Sequence, residues 1–175
     1  MFDDEQCQFL LELYGEYSPR LKKAGVYTPE EGSHASVTRK CTHVAFDYKH
    51  VPDISLGMME YIEDLDPDYP EDLWFAQYEF ICYEGEGERY HRHNDDSPSG
   101  ERFNRLYTSV TMIEKSDDLI GGKLRIWTPD GNDYVVDLEP FETVIFPAWF
   151  DHEATPLVQG KRVIMISWAQ REGIC

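Results

Sequence analysis

The chain has 175 residues, 41% of them hydrophobic and 14% aromatic, with 16 Lys and Arg against 34 Asp and Glu for a formal charge of −18. That length fits one domain of ordinary size, and the apolar content is too high for a disordered chain. The acidity disfavours nucleic acid, whose binders need a basic footprint to displace counterions, and anionic membrane surfaces as well.

No apolar run approaches the ~20 residues of a membrane-spanning helix. The acidic start, Met1-Phe2-Asp3-Asp4-Glu5, is unlike a secretory signal. Cys7, Cys41, Cys82 and Cys175 are scattered with no CxxC pair. A reducing, cytoplasmic setting therefore fits better than a disulfide framework. In chain order, Asp3 caps a first helix with Gln6 as a capping-box partner. Cys7, Leu10, Leu11, Tyr14 and Tyr17 supply its apolar spacing, and Ser18-Pro19 ends it. Residues 22–40 are polar with Gly25, Pro29 and Gly32, and read as a long loop. Val44–Tyr48 reads as a short strand. A second helix follows Asp53, with Met58, Tyr61, Ile62 and Leu65 on one face.

From Leu73 the apolar period changes to two. Trp74, Ala76, Tyr78, Phe80 and Cys82 share one strand face, and Gln77, Glu79, Ile81 and Tyr83 the other. Further strands are expected at Leu106–Ile113, Lys123–Trp127, Tyr134–Leu138, Thr143–Phe146 and Val163–Trp168, with a turn at Pro129-Asp130-Gly131-Asn132. Helices first and short strands after indicate an α+β chain whose second half is a jelly-roll-like sandwich or barrel.

Six histidines are present: His34, His43, His50, His91, His93 and His152. Taken singly, each reads as an ordinary surface or core histidine. His93 stands out because Asp95 lies two residues on, which on a strand places both side chains on one face. A third ligand from another strand would complete a 2-His-1-carboxylate set, which leaves open positions on a non-haem Fe(II) centre. The order of neighbouring parts gives this weak pair its weight. Tyr83 and Tyr90 precede His93, and Arg105-Leu106-Tyr107-Thr108, Gly121-Gly122-Lys123-Leu124 and Phe146-Pro147 follow. His152 lies 57 residues beyond Asp95, Arg162 ten beyond His152, and Trp168 on the last expected strand.

With these parts in this order, the sequence resembles the Fe(II)/2-oxoglutarate-dependent oxygenases over about residues 73–170. Within them it is similar to the prolyl 4-hydroxylase group, which includes the animal oxygen-sensing prolyl hydroxylases. The resemblance implies a double-stranded β-helix, a jelly roll with N-terminal helices packed on one sheet. It implies a single oxygenase domain over 1–175, with 1–72 as a helical support and loop region and 73–170 as the jelly-roll core. It implies Fe(II) held by His93, Asp95 and His152, and 2-oxoglutarate and O2 as cosubstrates, with ascorbate as a supporting reductant. Arg162 would pair with the distal carboxylate of 2-oxoglutarate through its planar fork. Tyr83 and Leu124 would line the cosubstrate pocket, and Tyr90, Arg105 and Trp168 the substrate side. His91 shares the strand face of His93 but takes no ligand role in the family. Gln77 and Glu79 share the face of Tyr83 and are expected at the pocket mouth.

The sequence departs from the group at Met112, where relatives often carry a tyrosine whose hydroxyl meets 2-oxoglutarate; Thr108 and Thr111 are the nearby substitutes. Ile166 likewise stands where some relatives carry a hydroxyl. The implied activity is hydroxylation of a prolyl residue in a protein or peptide, coupled to conversion of 2-oxoglutarate to succinate and CO2. The segments 22–40 and 96–104 are the expected lids. Alternatives are hydroxylation of a free amino acid or other small molecule, and a non-catalytic jelly-roll binding module. Nucleobase repair is disfavoured, because the repair enzymes carry a second arginine where this chain has Trp168.

Overall fold

The computed structural model describes residues 2–28, 32–35, 39–96 and 104–171. Helix α1 spans Asp4–Tyr17 and opens on the expected capping box, in which Gln6 N–H donates to Asp3 and Asp3 N–H donates to the Gln6 side chain. Its buried face is Leu10, Leu13, Tyr14 and Tyr17, whereas Leu11 is 39% exposed. The spacing set had room for Leu11 or Leu13, and Leu13 falls in the stripe between Leu10 and Tyr17. A 3-10 turn over Ser18–Arg20 ends the helix at Pro19. Helix α2 spans Pro52–Leu65 with proline in its first turn. Ile54, Met58 and Ile62 are its buried stripe, while the expected Tyr61 and Leu65 are exposed.

The segment read as a loop over 22–40 contains strands instead. They are β1 (Lys22–Lys23), β2 (Gly25–Thr28), β3 (Gly32–Ala35) and β4 (Arg39–Lys40), and β2 and β3 pair antiparallel as a hairpin. A hairpin held by its backbone ladder needs no apolar alternation, so the sequence carried no period to find. Then come β5 (Thr42–Asp47), β6 (Leu73–Tyr83), β7 (Arg89–His93), β8 (Arg105–Lys115), β9 (Ile120–Gly121), β10 (Leu124–Trp127) and β11 (Asp133–Val136). The last four are β12 (Thr143–Pro147), β13 (Asp151–Ala154), β14 (Leu157–Gln159) and β15 (Arg162–Arg171). Tyr48, expected in the β5 strand, instead opens a 3-10 turn capped by the Asp47 side chain. The turn at 129–132 lies between β10 and β11 as expected, with Gly131 at φ 86°.

A six-stranded sheet runs in the order β1-β5-β6-β15-β8-β12, and a five-stranded sheet in the order β11-β10-β13-β7-β4. The fold is a double-stranded β-helix, and β1, β4 and β5 extend its sheets back into the region before residue 73. Alternation along the central strands separates two cores. Tyr78, Phe80, Cys82, Val163 and Met165 pack with α1 and α2 through Leu10, Tyr14, Met58 and Ile62. Ile81, Tyr83, Val110, Met112 and Ile164 turn the other way and meet Leu124, Ile126, Phe146 and Ala154. One correction applies to β6. Its pairing with β15 slips so that Tyr78 faces Ser167 and Phe75 faces Ala169. The extra residue is a bulge, and it brings Phe75 rather than Trp74 into the helix-side core.

Candidate active site

The metal-ligand candidates come together because two strands pair side by side, antiparallel, in the five-stranded sheet. His93 closes β7 and is the cross-strand partner of His152 on β13. Beyond β7 the chain turns in, and the Asp95 N–H donates to the Ala148 carbonyl at 2.9 Å, which holds its carboxylate in the buried interior. The Asp95 oxygens lie 3.7 Å from His93 Nε2 and 3.5 Å from His152 Nε2, so one ligand atom from each residue falls within 4.8 Å of the others. The tautomers are set from behind. His93 Nδ1–H donates to the His91 carbonyl at 2.7 Å, and His152 Nδ1–H donates to the Phe150 carbonyl at 3.1 Å. Each Nε2 therefore keeps its lone pair toward Asp95, the arrangement a metal needs.

Charge is tuned the same way. Burial and the facing His152 push the His93 pKa down to about 4, so the ring is neutral at pH 7. Burial alone would raise the Asp95 carboxyl, but the His152 and His93 rings, the neighbouring Trp168 and the Thr108 donor lower it on balance. Thr108 Oγ1 donates to Asp95 Oδ2 at 2.8 Å and fixes the carboxylate plane. That role occupies Thr108. Thr111 sits on the opposite face of β8, bonded to Thr143 Oγ1 at 2.8 Å. Neither threonine replaces the tyrosine hydroxyl missing at Met112, since alternation turns Thr111 away and Asp95 takes the other.

His91 is also corrected. The β7–β13 ladder pairs His152 with His93 but Ala154 with Tyr90, a bulge that turns His91 out to solvent and brings Tyr90 in. The Tyr90 ring stacks on His93 with centroids 3.6 Å apart.

Deeper in the same cavity lies Arg162, 3% exposed at the start of β15. Among the described residues no carboxylate forms an ion pair with it, and its buried Nε has no hydrogen-bond partner. Its guanidinium lies 4.6 Å over the ring of fully buried Tyr83. Burial pushes the Arg162 pKa down and the Tyr83 hydroxyl up. Gly122 makes room for this cation: a Cβ there would lie 3.0 Å from Leu157 Cδ1 and 3.6 Å from Arg162 Nε, at φ +61°. Val110, Leu124, Ala154 and Ile164 complete an apolar wall. A buried cation without a counterion in apolar surroundings is costly unless an anion arrives. This end of the cavity fits a carboxylate ligand, and the His93, Asp95 and His152 set fits a divalent metal.

Toward the other side, the Arg105 guanidinium stacks 3.6 Å over Trp168. The structure thus brings Tyr83, Tyr90, His93, Asp95, Arg105, Leu124, His152, Arg162 and Trp168 to one cavity. Ile166 lines it as well, and Gln77 Nε2 donates to the Glu79 carboxylate at 3.4 Å. Two residues escaped the sequence. Arg39 and His43 come from the polar N-terminal region and both bond Glu79 on the cavity wall. The expected lid at 96–104 lies almost wholly outside the described residues.

The profile of the 2OG-Fe(II) oxygenase superfamily matches residues 75–170. The prolyl hydroxylase EGLN3 of Rattus norvegicus is 40% identical over 82 residues, covering 43% of this chain and 32% of that protein. A PKHD-type hydroxylase of Hyphomonas neptunium is 30% identical over 105 residues, covering 58% of this chain and 46% of that protein. The chain therefore spans 32% and 46% of the length of these relatives, less than half in either case. Among solved structures, a Pseudomonas putida prolyl-4-hydroxylase shares the fold at TM-score 0.71 and 20% identity, over 95% of this chain and 88% of that one. A Trichoplax adhaerens prolyl hydroxylase, solved with a hypoxia inducible factor peptide fragment, matches at TM-score 0.68 and 18% identity, over 94% and 76%.

Proposed function

Because the chain belongs to the 2OG-Fe(II) oxygenase superfamily, we propose that it hydroxylates a prolyl residue within a protein or peptide. Bound Fe(II) supplies the coupled oxidation in which O2 and 2-oxoglutarate yield succinate, CO2 and a hydroxylated product. This chain's residues would do the rest. His93, Asp95 and His152 hold the metal, with both Nδ1–H groups tied back and Thr108 bracing the carboxylate. Arg162 binds the distal carboxylate of 2-oxoglutarate, with Tyr83 and Leu124 shaping that pocket. Tyr90, Arg105 and Trp168 form the wall for the substrate ring. The apolar lining excludes water from the reacting groups.

The observation that carries this reading is the pairing of a metal-ligand triad with a counterion-less buried guanidinium in one cavity whose outer wall is aromatic. Aromatic faces suit a compact apolar ring, and the identity with a rat prolyl hydroxylase points the same way. We read 1–175 as working as one such domain. Residues Cys7, Cys41 and Cys82 are free thiols, which supports a reducing, cytoplasmic setting. No helix among the described residues is long and apolar enough to cross a membrane.

The test is a succinate-release screen by NMR, with Fe(II), 2-oxoglutarate and a panel of proline-containing peptides set beside free amino acids. Stimulation by prolyl peptides is expected. Stimulation by a free amino acid and by no peptide would replace this reading with the small-molecule one.

A further inference from the structure

Glu79 is a buried carboxylate on the cavity wall, and neither metal nor cosubstrate binding uses it. Its Oε2 accepts from Arg39 Nη2 at 2.9 Å and meets His43 Nδ1 at 3.1 Å, while Oε1 accepts a long contact of 3.4 Å from Gln77 Nε2. Burial would raise its pKa, but His43 and Arg39 hold it down to about 2, so it is charged at neutral pH.

The partners belong to different layers. Glu79 and His43 sit on β6 and β5 of the six-stranded sheet, and Arg39 on β4, the edge of the five-stranded one. Beyond Glu79 the connections lead straight to the metal centre. Arg39 lies opposite Tyr90 in the β4–β7 ladder, with its guanidinium 5.2 Å from the Tyr90 ring centroid. Tyr90 in turn stacks on His93. A buried ion pair is poor evidence for stability, since matched apolar side chains fill such space as well. What the pair supplies is direction: a guanidinium fixed beside the Tyr90 ring, on the strand that pairs with Tyr90's own.

We propose that Glu79 is a positioning residue for the substrate: through Arg39 it latches edge strand β4 to the facing sheet and fixes the Tyr90 ring against His93. The proposal rests on the reading of Tyr90 as substrate wall. It makes the Arg39–Glu79 bridge a determinant of substrate affinity and leaves metal and cosubstrate binding to other residues.

Two variants separate this role from plain structural support. Glu79→Gln removes the charge from the group that Arg39 Nη2 donates to. The double variant Arg39→Met/Glu79→Met removes both charges and keeps an apolar wall. In Glu79→Gln we expect the KM for a stimulating prolyl peptide to rise at least roughly tenfold with kcat changed less than about threefold, the mark of lost binding. Calorimetry with Mn(II) and 2-oxoglutarate alone should give affinities within about twofold of the parent. Hydrogen exchange of the amides at 39–40 and 89–93 should quicken by roughly tenfold or more, since these amides open locally when the latch is lost. The double variant should regain the parent's melting temperature but neither its KM nor its slow exchange. Parent-like KM in the double variant would show the pair to be structural only and overturn the proposal. If no prolyl peptide stimulates turnover, the functional reading fails by itself, and exchange still decides the latch: parent-like exchange in both variants overturns it.

Discussion

Replacing Arg162 by methionine, which keeps much of the side chain's length and none of its charge, should act in opposite directions on the ligand-free protein and on cosubstrate affinity. Arg162 is 3% exposed, has no carboxylate partner among the described residues, and is already pushed down by burial. The ligand-free protein bears the desolvation of that cation with little return. Methionine should therefore stabilise it by about 1–4 kcal/mol, the range found when buried charges give way to apolar side chains. For a chain of this size that is an increase in melting temperature of at least about 2 °C. The bound state responds the other way. Removing one partner of a buried charge pair costs about 3–5 kcal/mol, which at 1.4 kcal/mol per decade is a loss of roughly 140- to 3,700-fold in 2-oxoglutarate affinity. Calorimetric titration of 2-oxoglutarate into Mn(II)-loaded protein reads the second effect, and a thermal melt without ligands reads the first. Mn(II) affinity itself should stay near the parent's, since Arg162 touches none of the three ligands. A variant that binds 2-oxoglutarate within threefold of the parent would refute the assignment of Arg162, and one that melts well below it would refute the argument from burial.

Three further outcomes are expected. Thr108→Val removes the donor to Asp95 Oδ2 and should weaken Mn(II) binding by roughly 10- to 100-fold, as measured by titration. Gly121→Ala places a Cβ 2.4 Å from the Pro156 carbonyl at φ +79°, and should destabilise the fold by at least about 2 kcal/mol in urea unfolding. The Glu79 pKa, lowered from 4.5 to about 2, contributes stability that is present above pH 4.5 and lost as the pH falls toward 2. That contribution is of order 3 kcal/mol, so the parent should lose more urea stability between pH 5 and pH 3 than Glu79→Gln does.

The part of the site visible in the sequence was the part written in local spacing. His93 and Asp95 lie two residues apart and form a local motif, whereas Arg162 was marked by the order of parts that the oxygenase resemblance rests on, ten residues beyond His152. The six-stranded sheet was legible wherever one face was apolar, as along β6 and β15. Where the chain broke its own period, the reading slipped. The β7 bulge took His91 off the face of His93, where alternation alone puts it, and the β6 bulge exchanged Phe75 for Trp74, because an inserted residue reverses every face beyond it. Arg39 and His43 were out of reach for a different reason. Their partner Glu79 is 36 and 40 residues away, and nothing in a polar stretch announces a contact made by topology alone. The short strand β4 exists by pairing with β7, not by its own propensity.

The proposal of prolyl hydroxylation meets its most direct test in the fate of molecular oxygen. Turnover of a stimulating peptide under 18O2 with Fe(II) and 2-oxoglutarate should give a product in which mass spectrometry places one 18O on a prolyl ring carbon. One 18O should also appear in succinate, with one succinate formed per hydroxylated proline. A labelled oxygen on a residue other than proline, or peptide-independent succinate with label only in a free small molecule, would contradict the account.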